Sequence, residues 1–292
     1  MSIIITGATG QLGGLIINNL LENEKIPAQD IVAVARNTDK AKQQYADLGI
    51  EIRYGDYDNP ESLPEAFAGA SKLLFISSSS FDDTERIVQH ANVVKAGRDA
   101  GVKHIAYTSY AFAEESQIPL ALLHLNTEYA IRVSGTPYTF IRNSLYSEVF
   151  INKDLAASIE NGAIVTNAGA GRINTVNRAD LAKGTAAILA SEGHENKTYN
   201  FVSSTTWSFD ELAEVVTKVT GKNVKHTVVS YEEQVKLLTS IGLPEGVAAF
   251  SASTYQAISE GETAKTSNDL KNLIGEESSL TDMVKNHKNL SL

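Results

Sequence analysis

The chain has 292 residues, 42% hydrophobic and 21% charged, with a formal net charge of −10 and no cysteine. That length suits one large or two modest globular domains with a sizeable core. The excess of acid argues against nucleic acid and anionic lipid as partners, and the lack of thiols excludes disulfides, cysteine nucleophiles, iron–sulfur clusters and thiolate zinc sites.

The opening MSIIITGATG has neither a basic leader nor a long apolar segment, so no signal peptide is expected. No run approaches the roughly 18 apolar residues of a membrane span. A cysteine-free chain fits a reducing cytoplasm. Residues 2–6 (SIIIT) read as a buried strand and 10–23 as a helix. Residues 30–36 (DIVAVAR) are a second strand, and 38–49 a helix capped by Thr38 or Asp39 and stopped by Gly49. Strand 50–56, helix 59–69, strand 72–78, helix 83–101, strand 103–110, helix 124–135 and strand 138–143 follow.

Strands that are apolar nearly throughout, each followed by a helix, predict a parallel sheet covered on both faces. The fold class is therefore α/β, a doubly wound parallel sheet of Rossmann type, with ligands beyond the carboxyl ends of its strands. After residue 145 the rhythm loosens. Residues 168–191 read as loop, strand and helix, and 197–204 as a strand returning to the main sheet. Residues 208–222 form a capped amphipathic helix, and 224–230, 230–244 and 279–289 complete the chain. The expected division is 1–147 plus about 177–204 for the Rossmann domain. About 148–176 and 205–292 form a smaller α/β carboxyl-terminal substrate lobe over the sheet's ligand edge.

Between the first strand and helix, IIITGATGQLGG spaces Gly7, Gly10 and Gly13 as G-x-x-G-x-x-G. Gly7 permits a tight turn, Gly10 lets a pyrophosphate approach the backbone, and Gly13 packs helix on strand. The free N–H groups of the helix start then face the phosphates, so Thr9, Gln11 and Leu12 join the expected cofactor contacts. This supplies the local attraction that an acidic surface lacks. The second strand ends in VAVARNTDK with Arg36 and no acid. An acid there would bind the ribose of NAD, whereas arginine accommodates the extra phosphate of NADP. Lys40 adds charge one turn on. The expected cofactor is NADPH.

The fourth strand ends in FISSSS, which puts Ser77, Ser78 and Ser79 under the ribose and phosphates. The fifth ends in YTSYAF, with Ser109 and Tyr110 near the nicotinamide. The sixth ends in FIRNSLYSE, where Asn143 can hold a carboxamide or a substrate carbonyl and Tyr146 can cover the substrate.

Taken together, ITGATGQLGG, VARN, FISSSS, AYTSY and RNSLYSE resemble the NmrA-like branch of the atypical short-chain dehydrogenase/reductase superfamily. More narrowly, the chain is similar to bacterial NADPH-dependent quinone oxidoreductases, whose relatives include triphenylmethane reductases. The resemblance spans the chain, including GHENKTYNF and SIGLPEG. It implies an NADP-binding Rossmann domain, a small substrate lobe and reduction of quinones or similar electron-poor conjugated compounds.

The wider superfamily carries Tyr-x-x-x-Lys on the helix after the fifth strand, a pair that moves a proton to or from a substrate oxygen. Here the matching place is HLNTE, with His124 and Glu128, and Tyr129 is followed by AIRV. The missing pair argues against alcohol dehydrogenation and NAD-dependent sugar-nucleotide epimerisation. Hydride transfer to a quinone needs a proton carrier less, because the quinol anion is stabilised and water or His124 can protonate it. His124 is then a donor, a structural residue or, least of all, a metal ligand. No metal site is expected. His226 and His287 read as surface residues. A non-catalytic NADP(H)-binding sensor is the alternative reading. Self-association into a homo-oligomer is also compatible with the apolar helices of the second half.

Overall fold

The computed structural model describes residues 2–116 and 118–286; His287 lies outside the described residues. In chain order the first elements are β1 (Ile3–Ile5), α1 (Gln11–Glu22), β2 (Ile31–Ala35), α2 (Thr38–Tyr45), β3 (Glu51–Tyr54) and α3 (Leu63–Ala66). Next come β4 (Lys72–Phe75), α4 (Asp83–Asp99), β5 (Ile105–Tyr110), α5 (Pro119–Ser134) and β6 (Tyr138–Asn143). The chain continues through β7 (Leu145–Tyr146), α6 (Ser147–Phe150), α7 (Asp154–Glu160), β8 (Ala163–Thr166), β9 (Arg172–Ile173) and β10 (Thr175–Val176). Then follow α8 (Arg178–Ala190), β11 (Lys197–Phe201), β12 (Trp207–Ser208), α9 (Phe209–Thr220) and β13 (Lys225–Val228). The last are α10 (Tyr231–Ser240), α11 (Glu245–Ser259), α12 (Asp269–Ile274) and α13 (Leu280–Lys285).

Seven strands form one parallel sheet in the order β11–β6–β5–β4–β1–β2–β3. Ile4 stands opposite Val32 on one side and Leu73 on the other. Such side chains have no face to turn to water, which is why the central strands are apolar throughout. Ile4, Val32, Leu73, Phe75, Ile105, Tyr107 and Phe140 pack with Leu63, Phe67 and Val93 into one core. The return strand expected at 197–204 is β11, parallel to β6.

Local chemistry shifts some boundaries. The cap of α2 is Asn37, whose side chain accepts the Lys40 N–H at 2.9 Å, rather than Thr38 or Asp39, which lie inside the helix. The helix expected at 59–69 shrinks to a 3₁₀ turn and the four residues of α3, in a segment carrying Pro60 and Pro64. α5 begins earlier than expected, with Pro119 in its first turn, where a missing N–H costs nothing.

Two compact units divide the chain. The first comprises Met1–Ser144, Arg178–Phe201 and Asn272–Gly275, and the second Leu145–Asn177, Val202–Lys271 and Glu276–Leu292. The second has its own core of Phe150, Ile173, Trp207, Phe209, Leu212 and Val216. Its Trp207 indole donates to Thr175 Oγ1 at 2.9 Å, so the buried N–H is satisfied. His226 belongs to this unit and is not a surface residue. Its side chain is buried, within 2.8 Å of Thr166 Oγ1 and 3.2 Å of Asp210.

Candidate functional site

A cleft of about 590 Å³ opens at the carboxyl ends of β1, β2, β3 and β4. Thr6, Gly7, Thr9 and Gly10 line it from the glycine turn, and Arg36, Asn37 and Lys40 from beyond β2. Gly55, Asp56, Tyr57 and Asp58 follow β3, and Ile76 to Ser80 follow β4.

The turn is built for close approach. Gly7 adopts φ +60, a left-handed conformation that side chains resist, and its carbonyl accepts the Gly10 N–H at 2.9 Å. A Cβ on Gly13 would stand 2.4 Å from the Gly7 carbonyl oxygen, closer than any real contact. The Tyr45 hydroxyl donates to the Ala8 carbonyl at 2.6 Å and the Lys40 ammonium to the Thr9 carbonyl at 3.0 Å, fixing the loop from α2. At the Gly10 cap, α1 has no side-chain hydrogen bond and no acid in its first turn. Its amino end therefore offers N–H donors and partial positive charge. Gln11, Leu12 and Gly13 supply that first turn. This cradle, with exposed Arg36 and Lys40 beside it, fits a phosphorylated dinucleotide.

Three features of the cleft escaped sequence reasoning. Tyr57 places its hydroxyl 2.6 Å from Thr6 Oγ1 and 2.8 Å from the Ile76 carbonyl, and burial pushes its pKa up. Asp56 and Asp58 add acidic side chains to a lining that also carries Arg36 and Lys40. Glu85 and Gln89 reach the cleft from α4. The residues just after β3 were open to detection, because strand ends carry the ligand in this fold. Gln89 was not, since nothing local marks a glutamine inside a long helix.

The expected residues at β5 and β6 are placed differently. Ser109 is buried and does not line the cleft; its hydroxyl donates to Glu128 at 2.6 Å. Glu128, only 1% exposed, also takes Arg142 Nε at 2.8 Å and Nη2 at 2.6 Å. The other edge of Arg142 is held by Glu114. Burial alone would lower the Arg142 pKa, but the two carboxylates reverse that and raise it. Asn143, at the end of β6, is buried, accepts the Ala111 N–H on its carbonyl, and has no partner on Oδ1 among the described residues. Tyr146 lies on β7 of the second unit and is half-buried.

His124 is 5% exposed and shares a 2.7 Å hydrogen bond with the Tyr107 hydroxyl through Nδ1. Burial, then Arg86 and His90, push its pKa down to about 3. It is neutral near pH 7, so it holds no labile imidazolium proton for a substrate, and it does not line the cleft. The geometry matches the structural reading of this residue. No group of three or more potential metal ligands occurs among the described residues.

The NmrA-like family model matches residues 1–279. Quinone oxidoreductase 2 of Escherichia coli is 40% identical over 273 residues, covering 94% of this chain and 93% of that protein. The structure of Citrobacter sp. triphenylmethane reductase complexed with NADP(H) superposes with a TM-score of 0.94 at 58% identity, covering 98% of this chain and 99% of that one. The E. coli NADPH-dependent quinone oxidoreductase complexed with NADPH gives 0.91 at 39% identity, covering 97% and 98%.

Proposed function

We infer the activity from the premise that this chain, matched over residues 1–279, belongs to the NmrA-like family. It is an NADPH-dependent oxidoreductase that reduces quinones and similar electron-poor conjugated acceptors. The observation that carries the reading is the cleft: an uncapped helix start, a glycine turn without room for a side chain, and Arg36 in place of an acid at the end of β2. Bound NADPH supplies a hydride from its nicotinamide ring.

The protein's own part is positioning and charge. The first turn of α1, with Thr9 and Gly10, holds the pyrophosphate. Arg36 forks onto the 2′-phosphate. Ser77, Ser78 and Ser79 flank the ribose. The orphan Oδ1 of Asn143 is a ready acceptor for an amide of the nicotinamide or a donor on the reduced substrate. Since His124 and Glu128 are both committed inside the protein, the quinol anion takes its proton from water.

A second acceptor class is favoured by the 58% identity to a triphenylmethane reductase. Hydride added to the cationic central carbon of such a dye gives a neutral product and requires no proton. The net charge of −10 attracts cations of this kind.

Purified protein mixed with NADPH and a simple benzoquinone should consume the reduced cofactor well above the uncatalysed rate. Absence of turnover across several quinones and dyes, with NADPH still bound, would transfer the protein to the sensor class. Dye bleaching should be nearly independent of pH around neutrality. The face of α5 that exposes Leu122, Tyr129 and Val133 supports self-association, which sedimentation measures. The cytoplasm, where NADPH is kept reduced, suits this activity, and no helix among the described residues is long and apolar enough to cross a membrane.

A further inference from the structure

On α5, His124, Thr127 and Glu128 follow one another at i, i+3 and i+4, and all three are buried. Each is bonded to a different part of the first unit. His124 meets Tyr107 on β5, and Glu128 meets Ser109 and Arg142. Thr127 is bonded to His90 of α4, and through it to the wall of the cleft.

That connection has one direction. The backbone N–H of Ser78 donates to His90 Nε2 at 2.9 Å. A ring nitrogen that accepts carries no proton, so the imidazole hydrogen is on Nδ1, which donates to Thr127 Oγ1 at 2.8 Å. Thr127 passes its own hydroxyl proton to the Leu123 carbonyl at 3.1 Å. Burial, then Arg86, push the His90 pKa down to about 3, which keeps Nε2 an acceptor.

Ser78 is held a second time by the neighbouring residue of the helix. Gln89 accepts the Ser78 hydroxyl, and its amide donates to Asp58 at 2.8 Å and Glu85 at 3.2 Å. The Ser77 N–H is taken by Thr108 Oγ1 at 2.9 Å, and the Ser80 N–H by Ser78 Oγ at 3.1 Å. Among the described residues, only Ser79 in this wall has both backbone N–H and hydroxyl without a partner, and it is exposed.

We propose that His90 and Thr127 are positioning residues for the dinucleotide, which fix Ser78 through its backbone and thereby present Ser79 to the bound cofactor. This rests on the reading of the cleft as the NADPH site. The α5 face that lacks a proton-transfer pair thus acts on cofactor affinity, from behind the cleft wall.

NADPH fluorescence titration of four variants tests it. Thr127→Val keeps the shape and removes the hydroxyl, and should weaken NADPH binding about fivefold, the scale of one neutral hydrogen bond. Thr127→Ser should restore binding to near the wild-type value. His90→Phe, which removes both bonds, should weaken it by more than about tenfold, and His90→Asn by less than His90→Phe. In steady-state assays the KM for NADPH should rise more than kcat falls, whereas a merely structural loss lowers the melting midpoint and leaves the NADPH Kd of the folded fraction unchanged. Folded Thr127→Val with wild-type affinity would overturn the proposal, even where His90→Phe fails to fold. Wild-type protein that binds no NADPH would remove the cofactor reading and the proposal together, whereas wild-type binding with unaffected variants removes the proposal alone.

Discussion

At Gly13 the constraint is spatial: a methyl group would meet the Gly7 carbonyl at 2.4 Å, and that carbonyl also receives the Gly10 N–H. Gly13→Ala must therefore push the turn and the start of α1 apart. NADPH affinity should fall by about tenfold or more, the effect of misplacing several phosphate contacts at once, as isothermal titration will measure. Arg36→Ala removes a different interaction. Affinity for NADPH should drop about tenfold to a hundredfold, matching a charge-assisted bond of ~1.5–3 kcal/mol, while NADH affinity stays nearly constant. An unchanged ratio of the two affinities would refute the assignment of Arg36. Both assignments can be made from the sequence because they rest on neighbours a few positions away. That of Gln89 cannot: it lies inside a long helix, and its bond to Ser78 forms only when α4 folds back on the segment after β4.

At the scale of elements, α5 shows how little an i, i+4 pair says without its surroundings. His124 and Glu128 have the spacing of a surface pair, an acid/base pair or a metal pair. Burial decides among these, and burial is set by β5, β6 and α4 packing around the helix. The pairing of Glu128 with Arg142 is nearly fully buried, with side chains 2% and 6% exposed. Removing one partner strands the other charge, so Glu128→Ala should cost about 3 kcal/mol, toward the low end for a broken buried pair because Glu114 still holds Arg142. Urea denaturation will show this as a lower midpoint, and Glu128→Leu combined with Arg142→Met should regain most of the loss. The strands were legible because apolar runs have one use in a parallel sheet. α11 was missed: its EGVAAFSASTYQAIS is rich in alanine and serine and has no leucine stripe to mark a helix face.

For the molecule as a whole, buried imidazoles tie stability to pH. His90 and His124 have pKa values near 3, and His104 and His194 are also lowered, in each case first by burial. A histidine of lowered native pKa is neutral in both states above the unfolded value of ~6.5 and so contributes no pH dependence there. Below it the unfolded chain gains protons that the native state refuses, and stability falls as the pH drops. Each such proton contributes at most about 1.4 kcal/mol per pH unit. Urea midpoints should therefore decline steadily from pH ~6.5 toward pH ~4.5, and His124→Gln should flatten the slope by about one proton. A midpoint constant over that window would show that these rings remain hydrated. The doubly wound sheet and its ligand edge could be read from the sequence at this scale, since they follow from the alternation of strand and helix. An interleaved division, 1–147 with about 177–204 against 148–176 and 205–292, is already the expectation from the sequence; what the sequence does not mark is the return of Asn272–Gly275 to the first unit, a segment too short to carry a pattern of its own.

That interleaving limits how the molecule can be divided. β6 ends at Asn143, yet its outer neighbour β11 is not made until Lys197–Phe201, and α8, which packs on α1, lies between. A gene truncated at codon 144 would encode a sheet with a bare parallel edge and an α1 stripped of its cover. Such a product should be insoluble. Chimaeras among relatives consequently have fixed splice points: the segments 145–177, 202–271 and 276–292 have to be transplanted together, because neither half of the coding sequence specifies a foldable unit.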